Sequence, residues 1–302
     1  MSPDHRTLRL GILGMSEGNG HPYSWSAIFN GYDAAAMATC PFPVIPQYLS
    51  KQRFPEDAIA GAKVTHVWAE ERHQAEHIAA AALIPNIVDD YRAMIGEVDA
   101  ILLARDDAER HAEMSVPFLR AGLPVYIDKP IALSLRDLNA MYAEQRTPGQ
   151  IFSCSAMRFA NEFRLSAKDR AALGAIKSVR ATTPNTWQRY GVHALDAVLS
   201  MFDLYAQRSD AWPEPANGVE TVRVDWPSLS ATFVCTGTEP SPIAVEVIGE
   251  KGTTERVFTD TFAAFKRALE YFVAGVRTNT EVTTKQELTS MVSILERGRR
   301  VH

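Results

Sequence analysis

The segment at residues 121–132 constrains the fold of this chain more than any other. It reads Ala-Gly-Leu-Pro-Val-Tyr-Ile-Asp-Lys-Pro-Ile-Ala. The apolar run at residues 125–127 ends at Asp128, Lys129 and Pro130, a pattern that is typical of a buried strand in a parallel sheet. Ligands of open α/β sheets bind at the carboxyl ends of the strands. Because Pro130 restricts Lys129 to extended geometry, the segment predicts an ionisable pair held at a strand end, although a surface lysine gives the same pattern.

Strand and helix patterns alternate through the first half of the chain, which predicts βαβ units and a parallel sheet. The predicted strands are residues 8–13, 63–69, 87–88, 101–104, 125–127 and 151–156, and the predicted helices are residues 71–83, 107–121 and 134–145. The second half instead has period-2 alternation, and its predicted elements are strands 219–226, 229–235 and 243–248 and helices 260–276 and 285–297. The sequence therefore predicts an α/β protein. A Rossmann doubly wound sheet occupies residues 1–157, and an α+β domain with a mostly antiparallel, open-faced sheet occupies residues 158–302.

A helical pattern at residues 187–203 places polar residues beside an apolar stripe. His193 and Asp196 lie three positions apart, on neighbouring faces of the first turns. Gly191 removes a side chain near the start of the helix, which permits the close approach of a ligand or another backbone. A histidine and an aspartate on a helix are more often structural than catalytic, so this segment alone leaves both interpretations open.

Together, the two segments resemble the Gfo/Idh/MocA family of nicotinamide-dependent oxidoreductases. That family has Glu-Lys-Pro after its fifth strand and Gly-x-His-x-x-Asp at the start of a helix in its second domain. Asp128-Lys129-Pro130 and the segment from Gly191 to Asp196 match these signatures, with Asp in place of Glu. Weaker matches are residues 99–104, His111, Arg158 and residues 174–176. The resemblance runs over most of the chain, and its specificity rests on the two motifs occurring in order.

The resemblance implies a dehydrogenase that moves a hydride between nicotinamide and a hydroxyl-bearing carbon of a sugar, cyclitol or sugar derivative. His193 would take the hydroxyl proton as general base, and Lys129 would hold the substrate oxygen and stabilise developing negative charge. The predicted substrate-binding residues are Asp196, Arg189, Tyr190 and Arg158. Arg189 stands where relatives often carry an acid, so it is expected to bind a carboxylate or phosphate of the substrate.

The loop after the first strand departs from the dinucleotide fingerprint Gly-x-Gly-x-x-Gly, whose glycines let a pyrophosphate approach backbone amides. Only Gly14 stands in register, because Ser16 and Asn19 occupy the other two glycine positions. Gly18 and Gly20 restore the turn if the loop is longer than usual. Pro22 and Ser24 suit a helix that runs to Asn30. The predicted cofactor-binding residues are Gly14, Ser16, Gly18, Gly20, His21, Ser24, Glu70, Asp128 and Lys129.

The acid that binds the ribose is displaced along the chain. It is normally found about 20 residues after the glycines, but Glu70 lies 56 positions after Gly14. Glu70 favours NAD over NADP, whereas Glu71 is a competing candidate and Arg72 would favour a 2′-phosphate, so NADP stays possible. The intervening residues 31–62 are too rich in proline for a central strand and receive no assignment.

Two other functions compete with the enzyme. A non-catalytic ligand sensor on the same fold is consistent with the altered glycine loop and with Arg189, but it does not need both Lys129 and His193. The segment at residues 73–77 fits His-x-x-Glu-His, a zinc pattern of metalloproteases. A zinc site needs a third ligand in a buried cleft, and this segment follows a Rossmann-type strand, so no metal is expected.

Composition narrows the possible partners. The net charge of −5 comes without a basic cluster, which disfavours nucleic acid. The cysteines Cys40, Cys154 and Cys235 are odd in number and far apart, which indicates free thiols. No long apolar run and no signal-peptide pattern is found, so no membrane partner and a cytoplasmic location are expected. A homo-oligomer, most simply a two-fold dimer, is expected because the second sheet carries the apolar residues Val219, Val222, Val224, Phe233, Val245 and Val247.

Overall fold

The computed structural model describes residues 6–214 and 219–299. The chain divides into two compact units. The first contains Met1–Ile131, Asn139–Ser153 and Phe265–Thr283, and the second contains Ala132–Leu138, Cys154–Ala264 and Thr284–His302. The predicted boundary between two continuous domains near residue 157 stays a prediction. The expected lack of a signal peptide concerns in part residues 1–5, which lie outside the described residues.

The first unit is built on a six-stranded parallel sheet. Its strands are β1 (Leu8–Leu13), β2 (Ala62–Trp68), β3 (Asn86–Ile87), β4 (Ala100–Leu103), β5 (Val125–Ile127) and β6 (Ile151–Phe152). Their spatial order is β3-β2-β1-β4-β5-β6, the strand order of a Rossmann fold. Its helices are α1 (His21–Asn30), α2 (Ala34–Ala38), α3 (Val44–Leu49), α4 (Arg72–Ala81) and α5 (His111–Arg120), and α6 (Leu135–Ala143) contributes its later residues. The predicted fold class of this half is confirmed.

The register of the sheet aligns the carboxyl ends of its central strands. Leu13 pairs with Trp68 on one side and with Leu103 on the other, and Leu103 pairs with Ile127. The residues that follow β1, β2, β4 and β5 therefore emerge at one edge of the sheet, where ligands of such sheets bind. Buried aromatic rings lie behind this edge. The indole of Trp25 on α1 stacks on Tyr126 of β5, with ring centroids 4.6 Å apart.

The second unit pairs a mixed sheet with helices. Its elements are α7 (Ala167–Leu173), β7 (Ile176–Thr183), α8 (Trp187–Phe202), β8 (Asp210–Glu214), β9 (Glu220–Trp226), β10 (Leu229–Cys235), β11 (Ala244–Gly249), β12 (Thr253–Val257) and α10 (Lys285–Arg297), with α9 (Thr261–Thr278) beginning here. The strand order is β12-β11-β7-β10-β9-β8. The strands β7 and β10 pair in parallel, and all other neighbouring strands of this sheet pair antiparallel. The predicted mostly antiparallel sheet is confirmed.

Several predicted boundaries need correction. The strand predicted at residues 151–156 ends at Phe152, because Ser155 caps a short 3-10 turn at Ala156–Phe159. The helix predicted at 107–121 begins with a separate 3-10 turn, Ala108–Arg110. Residues 31–62, which received no assignment, form α2 and α3.

The premise for the predicted dimer interface is wrong in part. The side chains of Val222, Val224, Phe233, Val245 and Val247 are all buried, and Trp187 of α8 packs against Phe233 with ring centroids 5.6 Å apart. These residues therefore belong to the core of the second unit and leave no exposed patch. Among the described residues, none of the helices is long and apolar enough to cross a membrane.

Candidate active site

Two carboxylates flank Lys129 at the carboxyl edge of the first sheet. Asp106 follows β4, and Asp128 and Lys129 follow β5. The ammonium Nζ of Lys129 lies 3.5 Å from Asp106 Oδ2, and both side chains are largely buried, with exposed fractions of 6% and 9%. The backbone N–H of Lys129 donates to Asp128 Oδ1 at 2.7 Å. The lysine predicted from the sequence is thus held at both its ends.

The loop after β1 contacts both of these carboxylates. The hydroxyl of Ser16 donates to Asp106 Oδ1 at 2.7 Å, and the backbone N–H of Asp106 donates back to Ser16 Oγ at 3.0 Å. The amide of Asn19 donates to Asp128 Oδ2 at 2.8 Å, and the imidazole Nδ1 of His21 lies 2.5 Å from the same oxygen. Two of the predicted cofactor-binding residues, Ser16 and His21, therefore bind acidic side chains of this unit.

Asp128 is a buried charge with its own counter-charges. Burial alone would raise the pKa of its carboxyl group. The opposing charges of His21 and Lys129 and the hydrogen bonds from His21 and Asn19 outweigh burial and lower the pKa to about 2. The carboxylate is therefore ionised at neutral pH. A buried ion persists only when it is paired and hydrogen-bonded in this way.

The backbone amides in the first turn of α1 donate hydrogen bonds to acceptors within the protein. The backbone N–H of His21 donates to the side-chain oxygen of Asn19 at 2.8 Å. The N–H groups of Tyr23 and Ser24 both donate to the carbonyl of Gly20, and Pro22 has no N–H. In a standard dinucleotide site, such amides at the helix start receive the pyrophosphate. Here they have acceptors within the loop and the helix.

The loop glycines have different local roles. A Cβ atom on Gly14 would lie 2.1 Å from Cγ of Pro22, and one on Gly20 would lie 2.6 Å from atoms of Phe42 and Ile45. These two glycines permit close packing on α1 and on the segment that carries α3. Gly18 has a φ of +78° and open space around it, so it provides the turn. Ser24, a predicted cofactor ligand, is buried and accepts a hydrogen bond from Tyr48.

Glu70 stands at the carboxyl end of β2, where an acid for ribose hydroxyls belongs. Its side chain is 54% exposed, and Oε2 lies 2.9 Å from Arg110 Nη1 and 3.4 Å from Arg105 Nη1. Arg105 is itself paired with Asp107 at 2.6 Å. Arg72, the alternative that favours a 2′-phosphate, is paired with Glu76 and Asp89. Glu71, the competing acid, is exposed.

A nicotinamide dinucleotide bound at this edge of the sheet would need contacts for its ribose, its pyrophosphate and its nicotinamide. The carboxylate of Glu70 is a suitable acceptor for ribose hydroxyls, and the space around Gly18 is open. Lys129 follows β5 at the same edge of the sheet. The departure is at the pyrophosphate, where the amides of the first helical turn already have acceptors. Glu70 and Lys129 are therefore compatible with such a cofactor, whereas the backbone amides at the pyrophosphate position differ from the standard fingerprint in having acceptors within the protein.

His111 connects two of the loops at this edge. Its ring is fully buried, with Nε2 2.8 Å from the carbonyl of Arg105 and Nδ1 3.0 Å from the carbonyl of Ile131. The histidine that the resemblance placed after the fourth strand thus holds the loop after β4 to the loop after β5. It therefore joins the two loops that carry Asp106 and Lys129, and its side chain is buried.

In the second unit, His193 lies on the first turns of α8 and is 8% exposed. Its Nδ1 is 2.8 Å from the hydroxyl of Ser155, which also accepts the N–H of Met157 at 3.2 Å. The ring of Tyr190 packs edge-on against His193 with centroids 4.9 Å apart. When Nδ1 carries the proton, Nε2 is the basic nitrogen of the ring.

Asp196 and Arg158 form a buried ion pair. Arg158 Nε lies 3.1 Å from Asp196 Oδ1, and their side chains are 8% and 0% exposed. The hydroxyl of Tyr205 donates to the same oxygen at 2.6 Å, and the N–H of Ser155 donates to Oδ2 at 2.7 Å. Burial disfavours the charged guanidinium, but the negative groups around it, Asp196 first among them, together outweigh burial and raise the pKa of Arg158. Both predicted substrate ligands are thus engaged inside the unit, whereas the predicted ligand Arg189 is exposed.

The residues of the zinc-like segment have other partners. Glu76 pairs with Arg72 at 3.0 Å. His77 accepts or donates hydrogen bonds with Tyr23 at 2.7 Å and with Thr39 at 2.9 Å. Among the described residues, three or more potential metal ligands do not cluster anywhere. The segment therefore acts in the packing of α4.

Four site residues were missed from the sequence: Asn19, Asp106, Ser155 and Tyr205. Asp106 follows a predicted strand of the sheet, so its position at the carboxyl edge was available as a signal. Ser155 and Tyr205 contact His193 and Asp196 over separations of 38 and 9 residues. Neither carries a motif, so no local pattern distinguished them.

The fold and these strand-end residues define a Rossmann-type unit with ionisable side chains at the carboxyl edge of its sheet. The model of the Gfo/Idh/MocA family, described as an oxidoreductase family with an NAD-binding Rossmann fold, matches residues 46–155. The matched range contains the lysine motif and confirms the resemblance there, whereas the histidine motif at residues 191–196 lies outside it. No curated protein sequence matches the chain.

Solved structures share the fold over nearly the whole chain. Myo-inositol 2-dehydrogenase from Lactobacillus plantarum is 16% identical with a TM-score of 0.65, and the match covers 96% of each chain. Scyllo-inositol dehydrogenase from Lactobacillus casei, solved with NAD(H) and scyllo-inositol, is 15% identical with a TM-score of 0.67, and the match again covers 96% of each chain. At these identities the likeness shows the fold.

Proposed function

We propose that this protein is an NAD-dependent dehydrogenase that acts on a CH–OH group of a cyclitol, a sugar or a sugar derivative. The observation that carries the proposal is Lys129, held at the carboxyl edge of a Rossmann sheet between Asp106 and Asp128. The order of the lysine and histidine motifs and the match to the oxidoreductase family support it. The neighbours that act on inositols motivate the substrate class.

Glu70 would bind the adenosine ribose of the cofactor, which favours NAD because a carboxylate repels the 2′-phosphate of NADP. Gly18 and Lys129 would lie along the rest of the dinucleotide. When bound, the cofactor supplies the hydride acceptor for the carbinol carbon. Cys40, Cys154 and Cys235 are free and buried, which is consistent with a cytoplasmic enzyme.

The protein residues would move the proton and stabilise charge. Lys129 would donate a hydrogen bond to the substrate oxygen and stabilise the negative charge that develops on it. His193 would accept the hydroxyl proton at Nε2, with Ser155 fixing the ring through Nδ1. Arg189 is exposed and would contact a charged group of the substrate. Arg158 and Asp196 would fix the backbone of Ser155 and thus act through His193.

The runner-up is a non-catalytic ligand sensor, and one observation favours it. The amides at the start of α1 have acceptors within the protein, so the standard phosphate contacts are replaced. A sensor would bind a small ligand at the sheet edge without transferring a hydride.

Two measurements separate these functions. Titration of the purified protein with NADH and NADPH, followed by fluorescence, should give a sub-millimolar dissociation constant for NADH and weaker binding of NADPH. Incubation with NAD⁺ and a panel of inositols, aldoses and their phosphates should then produce NADH absorbance at 340 nm. Binding of NADH without turnover of any panel member favours the sensor, and binding of neither dinucleotide rejects the proposed dehydrogenase.

A further inference from the structure

The residues that replace the fingerprint glycines make bonds that a glycine cannot make. A fingerprint beginning at Gly14 requires glycine at positions 16 and 19, and this chain has Ser16 and Asn19 there. The side chain of Ser16 bonds Asp106, and the side chain of Asn19 bonds Asp128. Both substitutions therefore direct the loop toward acids that flank Lys129.

Each acid divides its two oxygens between the lysine and the loop. Asp106 presents Oδ2 to the ammonium group of Lys129 and Oδ1 to Ser16. Asp128 presents Oδ1 to the backbone N–H of Lys129 and Oδ2 to Asn19 and His21. The loop thus fixes one oxygen of each carboxylate. The other oxygen of each carboxylate orients Lys129, at its ammonium group for Asp106 and at its backbone N–H for Asp128.

The side chains of Ser16 and Asn19 are buried, and the ring of His21 is packed against its neighbours. Ser16 and Asn19 are 9% and 4% exposed, and the N–H of Asn19 donates to the carbonyl of Ser16 at 3.1 Å. The ring of His21 stacks on Trp25 and packs edge-on against Phe265, with centroids 4.9 and 5.0 Å away. A lysine side chain loses rotamer entropy when it is held in one conformation. Partners that are already immobile reduce the cost of holding it.

We propose that Ser16, Asn19 and His21 are positioning residues for Lys129, so that the loop after β1 orients the lysine in addition to lying beside the cofactor. Orientation of a catalytic group is a major part of catalysis, and a displacement of about 1 Å can cost about 100-fold in rate. The kinetic part of this proposal rests on the proposed function, in which Lys129 contacts the substrate oxygen. The orientation of the lysine itself does not.

The test restores the fingerprint with Ser16→Gly and Asn19→Gly together. The matched control is Ser50→Gly with Asn86→Gly, since both residues are exposed and belong to the same unit. The first measurement is the rate of reductive methylation of Lys129 in the full chain without ligand, mapped by mass spectrometry. We expect Lys129 to react several-fold faster in the double variant than in the wild type, and at the wild-type rate in the control.

The second measurement compares kinetics with binding. The double variant should lower kcat by about tenfold or more, while the dissociation constant for NADH stays the same or falls. Unchanged methylation of Lys129 in the double variant overturns the proposal, and so does weaker NADH binding with unchanged kcat. If the double variant does not fold, Ser16→Ala should show the same faster methylation and Ser16→Thr should restore protection. Since methylation requires no substrate, it decides the proposal even when no panel substrate is turned over.

Discussion

Lys129 and His193 are the residues on which the proposed chemistry depends, and each is held by partners in its own unit. We expect Lys129→Ala and His193→Ala each to lower kcat by about 10²-fold or more, the scale for loss of a positioned acid–base group. Affinity for NADH should change much less, because the proposed contact for the adenosine half of the cofactor is Glu70. The measurement is steady-state kinetics with a turned-over panel substrate, alongside fluorescence titration.

Exposed residues of the same types provide controls for these variants. Lys168→Ala and His73→Ala remove side chains that lie at the surface, so both should retain wild-type kcat. Wild-type turnover in His193→Ala would assign the proton transfer to another group, and Tyr190 beside the ring is the next candidate.

The contribution of Asp128 to the free energy of unfolding should depend on pH. Its pKa in the folded protein is about 2, below the ordinary value of 3.8, so its contribution is present above pH 3.8 and is lost as the pH falls toward 2. At pH 6 we expect the free energy of unfolding of Asp128→Asn to be lower than that of the wild type by on the order of 2 kcal/mol. Urea denaturation at pH 6 and pH 3 should show the difference narrowing at the lower pH. A difference independent of pH would mean that packing, and not charge, is responsible.

The sequence predicted the motif residues of the site but not their partners. Lys129 was found because it follows an apolar run and precedes a proline, both local features. The ion pair with Asp106 and the hydroxyl of Ser155 depend on contacts across the sheet and between distant segments. Such contacts are set by strand order and register, which a local pattern does not specify.

At the scale of elements, β1 and α1 approach each other closely at Gly14. A Cβ atom there would lie 2.1 Å from Cγ of the buried Pro22, and the proline ring cannot rotate away. We expect Gly14→Ala to destabilise the protein by about 1–3 kcal/mol, the usual cost of an overpacked core. Thermal unfolding should show a lower Tm.

Gly252→Ala is the matched control for this substitution. Its Cβ atom would meet only the carbonyl of Ala172 at 3.8 Å, an ordinary contact, so the change in stability should stay within about 0.5 kcal/mol. Equal losses in the two variants would show that the cost comes from glycine replacement in general.

Strand β7 is an element that the sequence pattern did not predict. It is the partner of both β10 and β11 in the second sheet, but its sequence Ile-Lys-Ser-Val-Arg-Ala-Thr-Thr has few large apolar residues. One face carries Val179 and Ala181, and the other carries Arg180 and polar neighbours. Its strand structure comes from pairing on both sides, whereas strongly periodic elements such as α10 and β10 were predicted with their observed bounds.

At the scale of the whole molecule, the expected two-fold dimer stays a prediction, but its interface is now expected on a different face of the second sheet. Val222, Val224, Val245 and Val247 of the second sheet are buried, so an interface there would use the opposite, more polar face. On that face Thr232 pairs with Arg180 and Arg223 in register. We expect light scattering to give a dimer at micromolar concentration. Thr232→Asp should shift the protein toward monomer, while Ser50→Asp should not.

A monomeric wild-type protein would reject the dimer outright. A dimer that persists in Thr232→Asp would place the interface elsewhere on the surface. In an assembly with two-fold symmetry, a residue that lies near the axis faces the same residue of the other copy, so a charge introduced there should repel its symmetry mate.

The return of Phe265–Thr283 to the first unit has a consequence for any attempt to divide this protein. Phe272 packs against Tyr126 and Phe152 with ring centroids 5.6 Å away in both cases, and Phe265 packs against Trp25. A fragment that stops at residue 157 loses this aromatic cover and exposes rings that belong to its interior. Such a fragment should aggregate on expression, and adding residues 265–283 through a flexible linker should recover a soluble product.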